Sequence, residues 1–307
     1  MKLYRNLTSG VVECVACEHR CKIGVGKTGV CGVRKNVDGR LELLVREKTT
    51  GVGIDPIEKK PLYHFLPGSL VYSIGTWGCN FKCQFCQNAW MSQKNEELGI
   101  KNYELKTREI VDYCVGNKIP SIAFTYNEPT IWSEWAVEIM KEARSGRSGI
   151  RGVFVTNGYM TLETLDYLNG YIDAYNVDLK SNSDDFYRQI CGGRLEVVKR
   201  NIAEIYRRKK WIEVTTLLIP GKNDSREEIE AIAKFLVNIS KYLPWHISAF
   251  YPDYKMTDVE STSYEKLMEA KEIGKRVGLK YVYIGNTGEG NPMIEVKNRE
   301  GVKGIWH

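Results

Sequence analysis

LVYSIGTWGCNFKCQFCQN, residues 70–88, joins a short apolar run to three closely spaced cysteines. Leu70–Gly75 has the length and apolar character of a buried strand. Cys79, Cys83 and Cys86 follow at the spacing C-x3-C-x2-C. Thiolates are soft ligands that suit iron, and three on one short loop can wrap one face of a cubane [4Fe–4S] cluster. Three ligands in place of four leave one iron open to a non-protein ligand, as an open position marks a catalytic zinc site. A zinc knuckle is the plainer alternative.

Outward from this stretch, strand-like and helix-like segments alternate. Thr107–Gly116, Thr130–Arg144, Thr161–Leu168, Leu195–Arg208, Asp224–Asn238 and Ser263–Val277 read as helices, with Thr107 and Asp224 or Ser225 as caps. Ser121–Thr125, Gly152–Thr156, Ala174–Leu179, Ile212–Ile219, His246–Tyr251 and Tyr281–Ile284 read as strands. Six or seven βα units in residues 69–307 make the chain α/β and suit an incomplete TIM-like barrel better than a full eight-fold one. A doubly wound open sheet fits the same pattern. In either, chemistry belongs at the C-terminal ends of the strands.

Residues 1–68 read as a small N-terminal metal-binding subdomain and connector. Cys14-x2-Cys17-x3-Cys21-x9-Cys31 offers four thiolates, enough to close a structural site and leave no coordination position open. Zinc is the first expectation there. A second iron–sulfur cluster and unmetallated or bridged cysteines remain open, and the site is expected to be separable from the chemistry at Cys79. Asp38-Gly39 signals a type I′ hairpin. Gly51–Gly68, rich in Gly and Pro, reads as an irregular connector. Of the remaining cysteines, Cys114 suits core packing and Cys191 stands alone.

Hydrophobic residues are 43% and charged residues 27% of the 307, the balance of a globular protein. There is no signal-peptide pattern and no apolar run near the roughly 20 residues of a membrane helix. A cytoplasmic protein without membrane partners is expected. The net charge of +6 is modest and reads first as a solvated surface, with attraction to nucleic acid or an anionic partner as the alternative. Short basic runs such as Arg207–Lys210 are too small to argue for nucleic acid alone.

With Phe85 just before the third cysteine, the motif resembles the hallmark of the radical S-adenosylmethionine (SAM) superfamily. The resemblance implies that the open iron is chelated by SAM and that reductive cleavage of SAM yields a 5′-deoxyadenosyl radical. Asn127-Glu128-Pro129 stands where the family has a GGE-type turn, so Glu128 is expected to accept the SAM amino group, or else only to open a helix. Thr156-Asn157-Gly158 is similar to the Asp-Thr-Asn-Gly turn of glycyl-radical activating enzymes, with Val155 replacing the acid; a plain turn is the alternative for Asn157. Asp178-Leu179-Lys180 matches the Asp-Leu-Lys of the same activases, and alternation puts Asp178 and Lys180 on one strand face. A structural ion pair is the plainer alternative. His246 is expected to touch adenine or substrate, or else to be a satisfied core histidine.

The likeness widens through GTWGCNFKCQFCQNAWMSQ, AFTYNEPTIWSEW, DLKSNSDDFYRQICGG, EVTTLLIPGKNDS and HISAFYPDYKM. Together these resemble the radical SAM enzyme of the AmmeMemoRadiSam system, related to pyruvate formate-lyase activating enzymes. That implies an incomplete (β/α)6 barrel, a flavodoxin- or ferredoxin-type electron donor and an association with AMMECR-like and Memo-like proteins, but no settled substrate. An activase-like hydrogen abstraction from a protein, peptide or other substrate is the expected activity. An RNA-modifying radical SAM enzyme and a non-catalytic metal-binding module are the alternatives.

Overall fold

In a computed structural model of the chain, residues 2–93, 99–146 and 148–287 are described. Three short strands, β1 (Tyr4–Asn6), β2 (Val12–Cys14) and β3 (Lys22–Ile23), form a small antiparallel sheet, followed by the hairpin β4 (Arg34–Val37) and β5 (Arg40–Leu43). Asp38 (φ 48°) and Gly39 (φ 80°) are both left-handed, the conformation the two-residue turn demands. The two-residue strand β6 (Lys48–Thr49) later pairs with β9 (Tyr103–Glu104).

The main sheet has eight strands. Seven run parallel: β8 (Leu70–Gly75), β10 (Ser121–Phe124), β11 (Arg151–Thr156), β12 (Ala174–Asp178), β13 (Trp211–Leu218), β14 (Trp245–Ala249) and β15 (Val282–Gly285). Six principal helices lie between them: α2 (Thr107–Gly116), α3 (Ser133–Ser145), α4 (Leu162–Leu168), α6 (Leu195–Arg207), α7 (Arg226–Ile239) and α8 (Tyr264–Val277). Two short pieces, α1 (Ala89–Ser92) and α5 (Asp184–Phe186), sit in the loops. Six βα units with a seventh strand match the expected partial barrel, and among the described residues the pairing ends at β15 without returning to the first strand. The core is carried by fully buried aromatics such as Trp132, Trp135, Trp245, Phe124 and Phe154.

The helices start where local chemistry dictates. Thr161, Ser225 and Ser263 each accept the backbone N–H three residues on, at 3.1–3.2 Å. α3 begins at Ser133, not Thr130, because Pro129–Trp132 first winds a 3-10 turn. Lys106, not Thr107, occupies the cap position of α2. Among the described residues no helix is long and apolar enough to cross a membrane.

The connector expectation for Gly51–Gly68 is corrected. Gly51–Pro56 is a strand, β7, paired antiparallel to β8 along its whole length, so it forms one edge of the main sheet. The rest of the segment packs against the N-terminal halves of the barrel strands. Asn176 Nδ2 donates to Pro61 O (2.8 Å), and Tyr63 N and His64 N donate to the Glu213 carboxylate (3.0 and 2.9 Å). Nor do the cores part at residue 68. Leu3, Val12, Cys14, Val15, Ala16 and Ile23 make a small cluster of their own, yet Cys17, Cys31, Val33 and Val45 join the main core. Arg34, buried, donates to Ile131 O (2.7 Å) and pairs with Glu134 on α3.

Candidate radical SAM site

Loops at the C-terminal ends of β8, β10, β11 and β12 meet in one place. The loop after β8 is stapled by Asn127, which follows β10. Asn127 Oδ1 accepts from Thr76 N (3.1 Å), while Nδ2 donates to Thr76 Oγ1 (2.9 Å), Trp77 O (3.1 Å) and Gly78 O (3.0 Å). Gly78 is left-handed at φ 81°, and a Cβ there would come within 2.3 Å of the Cys31 carbonyl oxygen. A side chain at 78 is excluded twice, by conformation and by the N-terminal loop pressed against it.

Past Gly78, the chain docks on the turn that carries Cys191. Lys82 N donates to Cys191 O (2.7 Å) and Gln84 N to Ile190 O (3.1 Å). The buried Cys191 thiol hydrogen-bonds Cys83 and, with help from Lys180, lowers the Cys83 thiol from its ordinary value. Burial pushes the Cys79 and Cys86 thiols up, and Cys79 is raised further by Glu128 and the neighbouring thiols. Cys86 Sγ lies 3.1 Å from Ser92 Oγ. Phe85 is buried, with Phe186 at 6.0 Å and Lys180 Nζ at 5.6 Å from its ring centre.

Asp178 and Lys180 are an ion pair at 2.9 Å beside this loop. Burial works against the Lys180 ammonium, but Asp178 and the thiols of Cys83 and Cys191 hold it well above the usual lysine range. A fixed cation thus faces cysteines whose thiolates repel one another. Glu128 is buried and satisfied by the protein: Oε1 accepts from Thr130 N (3.0 Å) and Thr156 Oγ1 (2.6 Å), and Oε2 from Asn157 N (2.7 Å). Burial raises its carboxyl above the ordinary value despite these donors. Both sequence readings of Glu128 meet here, since it caps the turn at Pro129 and also binds the β10 loop to the β11 loop. Asn157 reaches back to the cysteine loop, its Nδ2 donating to Asn80 Oδ1 at 2.8 Å.

His246 is not brought into this group. It lies on the N-terminal half of β14, with Nε2 2.7 Å from the Glu213 carboxylate and its ring edge-on to Tyr63 (4.6 Å). Of the two readings of His246, this contact fits the satisfied core histidine, hydrogen-bonded to Glu213.

The four N-terminal cysteines lie near enough for Cys14, Cys21 and Cys31 to act on Cys17. Cys14 N donates to Cys21 O (2.9 Å), and Cys21 Sγ lies 3.6 Å from where a Cβ on Gly29 would stand. Burial raises the Cys17 thiol first, and Cys14, Cys31 and Cys21 each raise it further. All nine cysteines are free thiols. Among the described residues, no three His, Cys, Asp or Glu side chains are already gathered into an ion-holding set at either cysteine group. As a donor set, the Cys79–Cys86 loop fits a cluster: three free thiols flanked by a partly buried cation, on backbone fixed from both sides.

A parallel partial barrel with a three-thiol loop after its first parallel strand defines a class of metal-dependent radical enzyme. Residues 73–236 match the radical SAM superfamily, and the chain belongs to it. It is a radical SAM enzyme, and membership implies a [4Fe–4S] cluster and SAM. The chain is 39% identical over 285 residues to an uncharacterized protein of Methanocaldococcus jannaschii, covering 92% of this chain and 84% of that one. It is 22% identical over 223 residues to the pyruvate formate-lyase-activating enzyme of Staphylococcus epidermidis, covering 66% and 88%. The crystal structure of Streptococcus suis SuiB bound to precursor peptide SuiA shares the fold, with a TM-score of 0.55 at 15% identity over 74% of this chain and 50% of that one.

Proposed function

We propose that Cys79, Cys83 and Cys86 hold the cluster, and that the enzyme abstracts a hydrogen from a protein or peptide substrate in the manner of a glycyl-radical activase. The observation that carries this reading is the convergence of three thiols, the Asp178–Lys180 pair and the Glu128–Asn157 bridge at neighbouring strand ends. When bound, the cluster and SAM supply an electron and a sulfonium bond whose cleavage gives methionine and the 5′-deoxyadenosyl radical. The protein's part is to bind, orient and shield. Asn127 and Gly78 fix the loop, Lys180 offsets thiolate charge, and Phe85 closes the loop against the barrel. Anaerobic reconstitution should give about four irons per chain and conversion of SAM to 5′-deoxyadenosine under dithionite. Iron without SAM cleavage would count against this activity. A flavodoxin- or ferredoxin-type donor is the proposed reductant, and AMMECR-like and Memo-like proteins the proposed associates.

Glu128 is the proposed acceptor for the SAM amino group. Its carboxylate is raised by burial, so a nearby cation would stabilise its charged form. Glu128→Gln should weaken SAM binding roughly ten- to a hundredfold while the iron content stays constant, since a charge-assisted hydrogen bond contributes roughly 1.5–3 kcal/mol. Equilibrium dialysis measures it. An unchanged affinity in a less stable protein would reduce Glu128 to tying the two loops together.

The Cys14, Cys17, Cys21 and Cys31 thiols are proposed as a closed structural site for one thiophilic ion, zinc first. Cys17→Ala should then lose one zinc, melt at lower temperature and keep its iron, as elemental analysis and thermal unfolding would record. About eight irons in the wild type would mean a second cluster instead. If iron left together with the zinc, the two sites would be one folding unit and not separable.

A further inference from the structure

Asn80, between Cys79 and the rest of the loop, is 2% exposed, and its Nδ2 is a buried donor without a hydrogen-bond partner. Of the orphaned side-chain atoms among the described residues, it is the one inside the 79–86 segment. Buried amide donors are almost always bonded, so an orphan at a cofactor site asks what completes it.

Its orientation follows from the backbone. Tyr159 N can only donate, and it meets the side-chain oxygen of Asn157 at 3.0 Å. The other end of that amide must therefore be the Asn157 nitrogen, which meets Asn80 at 2.8 Å. A nitrogen donor there requires oxygen on Asn80, so Asn80 Nδ2 faces the other way. The backbone of residue 80 is pinned as well. Its carbonyl accepts from His19 Nε2 (2.8 Å), and the next backbone N–H, from Phe81, donates to Cys79 Sγ (3.3 Å). The N-terminal four-cysteine loop, through His19, thereby helps to aim this donor.

We propose that Asn80 is a cofactor-contacting residue, donating from Nδ2 to an electron-rich acceptor on the group bound beside Cys79. That acceptor is a cluster sulfur, with the carboxylate of SAM as the other source of the same chemistry. The proposal rests on the assignment of Cys79, Cys83 and Cys86 to the cluster. Hydrogen bonds to cluster sulfurs delocalise their charge and raise the reduction potential. Asn80→Ala removes the donor; Asn80→Asp keeps the shape and the oxygen that Asn157 needs, and puts an acceptor where the donor was.

The test is an EPR-monitored redox titration of the anaerobically reconstituted full chain, with and without SAM, alongside iron content, thermal unfolding and SAM affinity. Asn80→Ala should keep its iron and show a more negative midpoint potential without SAM, with Asn80→Asp shifted the same way. If the acceptor is the SAM carboxylate, the SAM-free potential holds and SAM affinity falls roughly tenfold. Unchanged potential and affinity at full iron content would overturn the proposal, leaving the amide to a buried water. Should Asn80→Ala fail to fold, the isosteric Asn80→Asp decides by the same two readings. Failure of the underlying assignment looks different: Cys83→Ala would then retain iron.

Discussion

Cys83→Ala should bind no stable cluster after anaerobic reconstitution and should convert no SAM to 5′-deoxyadenosine. Cys83 is the middle ligand of the proposed three and the thiol that Cys191 and Lys180 stabilise as thiolate. With it gone, only two thiols on one short loop remain, and Lys180 faces Asp178 without its sulfur partner. Cys191 is no substitute: it lies on a different loop, with its carbonyl anchored to Lys82 N. Loss of iron, loss of the visible charge-transfer absorption and loss of 5′-deoxyadenosine should coincide. Turnover in this variant at wild-type rate would falsify the ligand assignment. Cys114→Ala is the matched control, because that thiol is buried on α2 among apolar neighbours and should change stability alone.

What could be read from the chain, and what could not, divides along a physical line. Local chemistry was legible. Three cysteines at fixed spacing after an apolar run marked the loop and its strand, and the Asp38-Gly39 dipeptide turned where only left-handed residues turn. The alternation of periods gave the parallel sheet. Contacts made between segments distant in sequence were not legible. β7 carries Gly51, Gly53 and Pro56, residues poor in strand propensity, and becomes a strand because β8 offers it a complete antiparallel ladder. Cys191 looked solitary because its partner Cys83 lies on another loop. Asn80 occupies an x position in the cysteine motif, where spacing arguments are silent; its importance appears only once Asn157 and His19 are seen to hold it. His246 could not be decided for the same reason. A lone histidine at a strand start says nothing of the carboxylate beside it. The sequence held one usable hint, since Glu213 interrupts the apolar strand of residues 211–218, and a fully buried acid needs partners.

Glu213→Ala should be among the most destabilising single substitutions in the chain. The carboxylate is fully buried and takes four donors: Tyr63 N (3.0 Å), His64 N (2.9 Å), Trp211 Nε1 (3.0 Å) and His246 Nε2 (2.7 Å). Removing it strands those donors and releases the residue 61–64 segment from the N-terminal halves of β12–β14. Breaking a buried pair from one side costs roughly 3–5 kcal/mol, or roughly 6–20 °C in Tm for a domain of this class. Glu213→Gln should cost less, because one amide oxygen still accepts. Its NH2 end nevertheless meets a donor. The pH dependence has a definite sign. Burial alone would raise the Glu213 carboxyl, but His246 and the other donors hold it below its ordinary value. A depressed carboxyl stabilises the fold above its unfolded pKa of about 4.3, and that contribution is lost as pH falls through the lower folded value. Wild-type stability should therefore drop in acid by more than that of Glu213→Gln, as denaturant unfolding at several pH values would measure. His246→Ala completes the comparison: it should lower Tm while the folded protein keeps its iron and its SAM affinity. If instead its stability held and SAM binding weakened, His246 would be a cofactor residue after all.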